Sequence, residues 1–337
     1  MKTLLLILAL TTLVSALGFG QTGWLPQTSP VSTSLGKVQF MSATEGWITT
    51  DDGLILHTTN AGSNWSIQDP EPTDYVQFIG TPCVAMSFIS ATTGWVAGTI
   101  GGLSSPSGAV LYKTTNGGTS WTRQNLSSWI YAVQVQFVNA NVGWVTVANG
   151  IITNLSGAII HTTDGGVTWS TGLTLTNRVP FCQFLDANNG WAIVDSLGMN
   201  GLQTPAEVLH TTNGGVTWTS QLYDATLGFF SALHFTNLSN GWFTGDSGKI
   251  YKTTNGGAQW TKITNAGQPS DAKHNTVFFI DANNGWIGSS PDMQQNEVLH
   301  TTNGGASWTR RASGTQYAVF SIFFFDANNG WLAADFG

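Results

Sequence analysis

Charge is what this sequence lacks most. Only 9% of its 337 residues are Asp, Glu, Lys or Arg, with 11 basic side chains against 18 acidic ones and a net charge of -7. A polyanion finds no broad basic surface here on which to shed its counterions, which excludes nucleic acid as a partner. The same shortage argues against long exposed helices, which carry Glu and Lys in quantity. Disorder is excluded by a hydrophobic content of 41%. Cysteine is almost missing, with Cys83 and Cys182 alone. No phosphate loop, Cys/His zinc spacing or nucleophile elbow is present, so no cofactor and no metal are expected.

The one long apolar run is at the start. Lys2 is followed by Leu4 to Leu10 and then Leu13 and Val14, with small residues at Ala16, Gly18 and Gly20. A membrane span needs about 20 apolar residues, and Thr11, Thr12, Ser15 and Gln21 interrupt this one too early. The segment reads as a secretory signal peptide over residues 1–20, cleaved between Ala16 and Gln21. Residues 21–337 are then expected as a single exported domain, periplasmic or extracellular, monomeric and without a transmembrane segment.

What is abundant is Gly, Thr, Asn and aromatic residues, including 40 Gly, 15 Trp and 18 Phe, the residues of strands and tight turns. They recur. Seven Gly-Trp pairs place tryptophans at 47, 95, 144, 191, 242, 286 and 331, about 47 residues apart, and seven residues before each stands a Phe: Phe40, Phe88, Phe137, Phe184, Phe235, Phe279 and Phe324. Between them lie turn sequences such as Asp186-Ala-Asn-Asn-Gly190, whose Asn-Gly supplies positive φ angles. A second turn follows six of the pairs, as in Thr162-Thr-Asp-Gly-Gly-Val-Thr-Trp169. Each unit therefore reads as four antiparallel strands, the blade of a β-propeller. The expected fold is all-β, a seven-bladed β-propeller of four-stranded antiparallel blades. Its last blade stops at Gly337 before a third strand, and Gly23-Trp24-Leu-Pro-Gln resembles the fourth strand that follows each second turn. The last blade is thus incomplete and closed by the N-terminal strand, with Trp24 joined to the blade of Trp331.

The second turn resembles the Asp-box, or BNR repeat. Asn60, Asn116, Asn213, Asn255 and Asn303 replace the box Asp in five copies and Asp164 keeps it; the boxes end in Trp65, Trp121, Trp169, Trp218, Trp260 and Trp308. With the Phe and Gly-Trp, the unit is similar to that of the photosystem II stability/assembly-factor family and its bacterial secreted relatives. That resemblance covers Phe40 to the C-terminus and implies a non-catalytic binding or assembly scaffold. The same propellers also occur in sialidases and xyloglucanases. A sialidase needs three central arginines; of the four here, Arg123, Arg310 and Arg311 follow box tryptophans on outer strands, leaving Arg178.

The boxes and the Asn-Gly turns share one face. The other carries the loops between second and third strands and between blades. There, 18 residues separate Trp47 from Trp65 but 27 separate Trp191 from Trp218, and variable loops on a rigid scaffold are where binding lives. Tyr75, Trp129, Tyr131, Arg178, Tyr223, Phe229, Lys273, His274 and Tyr317 are the candidates for a protein or glycan ligand. The alternative is a xyloglucanase-like hydrolase using a pair from Asp51, Asp52, Asp195, Asp246 and Asp292. Four histidines tempt a metal reading, but His57, His161, His210 and His300 each precede a box Trp by eight residues in a different blade. Blade symmetry holds them too far apart for a common metal, whose ligands lie about 2 Å from it. The two cysteines fall in units two apart, beyond the roughly 7 Å limit for a disulfide, so free thiols are expected.

Overall fold

The computed structural model describes residues 6–10, 23–71, 76–77, 85–101, 107–150, 156–175, 181–195, 206–224, 230–245, 247–263, 273–290 and 297–335. The repeat folds into successive antiparallel sheets. In the first blade the strands Leu35–Phe40, Gly46–Thr50, Ile55–Thr58 and Ser66–Gln68 lie side by side in chain order. Five more sheets repeat that order, opening with Met86–Phe88, Tyr131–Phe137, Phe181–Phe184, Phe230–Phe235 and Lys273–Phe279; the second also pairs Val76–Gln77 with Gly94–Ile100. The all-β propeller of four-stranded antiparallel blades is thus the architecture of the chain.

The Phe and the Gly-Trp seven residues on form the joint between blades. The ring of Phe40 lies over Gly46, where a Cβ would overlap it, and the same holds for the other six Phe–Gly pairs. Only glycine lets the ring lie flat against the second strand. The outer face of that ring then receives a tryptophan from the preceding sheet: Trp47 on Phe88, Trp95 on Phe137, Trp144 on Phe184, Trp191 on Phe235, Trp242 on Phe279 and Trp286 on Phe324, with centroids 3.6 to 4.0 Å apart. Indole Nε1 donates across the same joint to a box carbonyl, from Trp144 to Gly214 O and from Trp191 to Gly256 O at 2.9 Å. On the other side of the indole sits the repeat histidine or lysine of its own blade. His57 stacks on Trp47, His210 on Trp191 and His300 on Trp286, while Lys113 and Lys252 stand over Trp95 and Trp242. The periodic histidine or lysine position is therefore a packing position, its side chains covering aromatic surface.

Each box is a self-contained hydrogen-bond knot. Thr162 Oγ1 accepts the Gly166 amide and donates to Asp164 Oδ1, which in turn accepts the Thr168 amide at 2.9 Å. Hydrogen bonds from the Thr168 side chain and backbone hold the Asp164 carboxyl down to about 2. The Asn boxes make the same bonds through their side-chain carbonyl. The box tryptophans stand edge-on to the Phe of their own blade, Trp169 at 6.3 Å from Phe137, and all but Trp308 are only half-buried. They carry less of the core than the Gly-Trp tryptophans.

The ring closes between the first blade and the pair Val319–Phe324 with Asn329–Ala334. Trp331 stacks on Phe40 at 3.5 Å and donates to Ala61 O across 270 residues of chain at 3.2 Å. Ser321 Oγ accepts the Val38 amide, and Leu35, Val38, Phe40, Ile48 and Leu56 share one core cluster with Trp331 and Ala333. Trp24–Gln27 is the outermost strand of this last sheet, as expected: Trp24 meets Phe324 edge-on at 5.7 Å, as a box Trp does, and Gln27 Nε2 donates to Ala61 O at 2.9 Å. Trp24–Gln27 does not lie directly beside the Trp331 strand. Leu6–Leu10 lies between them, pairing Leu8 with both Leu25 and Trp331. An apolar run that suits a leader also suits a strand, and here it fills the third-strand position between two otherwise unpaired edges.

Candidate binding face

Strand direction puts the box turns at one rim and the starts of the first strands at the other. At that second rim the structure distributes the candidate residues unevenly. Tyr223 lies near the end of outer strand Thr219–Asp224 and is 64% exposed, and Tyr317 is 44% exposed. Tyr131 opens the first strand of the third blade and is half-buried. Trp129 packs against the core that contains Trp95 and Val145, and its carbonyl accepts the Ala109 amide at 3.0 Å. Lys273 is exposed, but the neighbouring His274 is fully buried, its Nδ1 2.8 Å from Ser289 Oγ. Burial pushes the His274 imidazole down to about 4, so it is a neutral interior residue rather than a surface group. Tyr75, Arg178 and Phe229 lie outside the described residues, as do Asp246, Asp292 and Cys83; Asp195 is placed only as the end of strand Gly190–Asp195. Cys182 is a buried free thiol.

Carboxylates gather where the first blade meets the last sheet. Thr33 Oγ1 donates to Asp52 at 3.2 Å, and Ser34 Oγ donates to Asp335 at 2.6 Å. Burial, then the charges of Asp52 and Asp335, hold the Asp51 carboxyl above its ordinary value, against a lowering hydrogen bond from Ser34. Asp335 was visible as a repeat: like Asp51, Asp195 and Asp246 it stands four residues after a Gly-Trp tryptophan. Glu71 was also missed. It accepts from Arg123 Nη1 at 3.0 Å and from Tyr112 Oη at 3.1 Å, so that arginine is already partnered. Among the described residues no three His, Cys, Asp or Glu side chains are grouped to hold a metal ion.

The family model of the photosynthesis system II assembly factor YCF48 matches residues 228–318, the fifth and sixth blades. Those two blades match that repeat family, and the chain as a whole has the β-propeller fold. Its fold is that of YCF48 bound to D1 peptide, with a TM-score of 0.69 at 17% identity over 91% of both chains. It is equally that of YCF48 from Cyanidioschyzon merolae, with a TM-score of 0.69 at 19% identity over 93% of this chain and 97% of that one. The GH74 enzyme of Niastella koreensis also matches, with a TM-score of 0.64 at 17% identity, but the alignment covers 91% of this chain and 52% of the enzyme. No curated protein sequence matches the chain significantly.

Proposed function

We propose that this chain is an exported, monomeric, seven-bladed propeller, closed by its N-terminal strand, that acts as a non-catalytic scaffold and holds a segment of a protein partner on its loop face. The observation that carries the reading is full-length likeness to a propeller captured with a peptide, over 91% of both chains, whereas the GH74 enzymes are matched over only about half their length. The chemistry of the face agrees. Tyr223 and Tyr317 offer exposed aromatic surface of the kind that anchors peptides, and Asp51, Asp52 and Asp335 give the rim a negative field that favours a basic segment. Tyr223→Ala and Tyr317→Ala should weaken capture of the partner from envelope extract without altering the fold. Retention of an unchanged partner set by the double variant would defeat the reading.

The hydrolase alternative rests on one observation, the raised Asp51 carboxyl beside Asp52 and Asp335, because a glycosidase needs one protonated and one ionised carboxyl about 5 to 9.5 Å apart. Release of reducing sugar from xyloglucan by the wild type, lost in Asp51→Asn, would favour it over the scaffold.

A further inference from the structure

The first strands of all the sheets surround a central channel with a cavity of about 260 Å³. Its wall mixes aromatic and aliphatic side chains with polar ones, and the glutamines among these are satisfied by backbone partners. Gln39, Gln136 and Gln183 each clasp the backbone of the next sheet's Phe, accepting its amide and donating to its carbonyl, and Gln134 does the same to Cys182. Three titratable side chains line the channel among the described residues, Lys37, Cys182 and His234. His234 Nε2 lies 2.9 Å from Phe279 O, and no Asp or Glu takes part in the described wall. Lys37 sits at the irregularity between Leu35 and Val38, its backbone amide donating to Thr49 Oγ1, and it keeps partial exposure within the channel.

An ammonium group held in a channel of protein without a counter-charge is costly. Burial lowers Lys37 to about 8, which still leaves it charged at neutral pH. The two groups facing it give no compensating anion, because burial pushes the Cys182 thiol up to about 12 and the His234 imidazole down to about 4. A cation with no counter-charge, aromatic side chains beside it and a small volume open to solvent together select the complementary ligand.

We propose that the channel binds a small monocarboxylate, whose anionic end pairs with Lys37 and whose apolar body rests against Phe181, Phe278 and Phe323. The site is separate from the loop face and stands whether or not that face binds a protein. Cys182 and His234 keep the same charge between pH 6 and 10, so the pH dependence of binding reports Lys37 alone. The ligand needs the ammonium form, whose fraction falls as pH rises through about 8. Titration calorimetry of the full chain with benzoate and with propionate should show one site per chain, and affinity should drop roughly 30-fold from pH 7 to pH 9.5. Lys37→Met should abolish the heat. Because that variant puts a new apolar group in the wall, the wild type supplies a second readout: benzoate should protect Lys37 from reductive methylation, read by peptide mass. No heat with either acid, affinity independent of pH, unchanged binding in Lys37→Met, or chloride binding as well as benzoate would each overturn the proposal.

Discussion

Replacing Trp331 by Ala tests whether the ring is held shut by the same joint that holds its interior blades together. The side chain is fully buried, stacks on Phe40 at 3.5 Å and donates to Ala61 O. Trp144 makes the equivalent contacts to Phe184 and Gly214 O inside the ring. Truncating a buried Trp costs about 3 to 5 kcal/mol in transfer and cavity terms. The lost indole hydrogen bond adds little at the seam, because Ala61 O still accepts from Gln27 Nε2 at 2.9 Å. Trp331→Ala and Trp144→Ala should therefore both lower the denaturation midpoint, with losses within about 1 kcal/mol of each other. Equilibrium unfolding in guanidinium, followed by far-ultraviolet circular dichroism, measures both. If Trp331→Ala cost less than about 1 kcal/mol while Trp144→Ala cost its full share, the joint at the seam would be open and the closure argument wrong.

Three smaller perturbations follow from the same geometry. Ala61 occupies a left-handed position, φ 59°, that glycine fills in the other boxes, so Ala61→Gly should raise stability by about 1 kcal/mol, seen as a higher melting temperature. Gly190→Ala places a methyl group in the ring of Phe184 and should cost about 1 to 3 kcal/mol in the unfolding assay. Asp164 has a folded pKa depressed from 3.8 to about 2; its contribution is present above the unfolded value and is lost as pH falls through the folded one. Asp164→Asn should hence match the wild type in melting temperature at pH 7 and lose less than the wild type between pH 4 and pH 2.

Most of the fold was legible because its joints are written as periodic residues. Phe, Gly and Trp at fixed spacing are one ring-over-glycine stack, and Trp24 could be matched to a box tryptophan by the residues that follow it. Properties that depend on what lies across a joint were not legible. Lys37 reads as an ordinary strand lysine until the first strands of the sheets are wrapped around it. His274 looks like a loop residue beside Lys273, yet strand Lys273–Phe279 turns it inward onto Ser289. Leu6–Leu10 has the composition of a leader and reads as one, whereas its backbone pairs as a strand between Trp24–Gln27 and Asn329–Ala334. Asp335 shares its place four residues after a repeat tryptophan with Asp51, Asp195 and Asp246, but only closure of the ring brings it to Ser34 of the first blade.

The scaffold reading turns on which rim meets a partner, and site-specific photo-crosslinking decides that directly. A benzoylphenylalanine placed at Tyr223 or Tyr317 probes the loop face; the same group at Val167 or Val216, 74% and 60% exposed, probes the box face at equal reach. In intact cells the account predicts a discrete protein adduct from the first two positions and none from the second two. Adducts confined to Val167 and Val216, or no adduct from either tyrosine position, would contradict it.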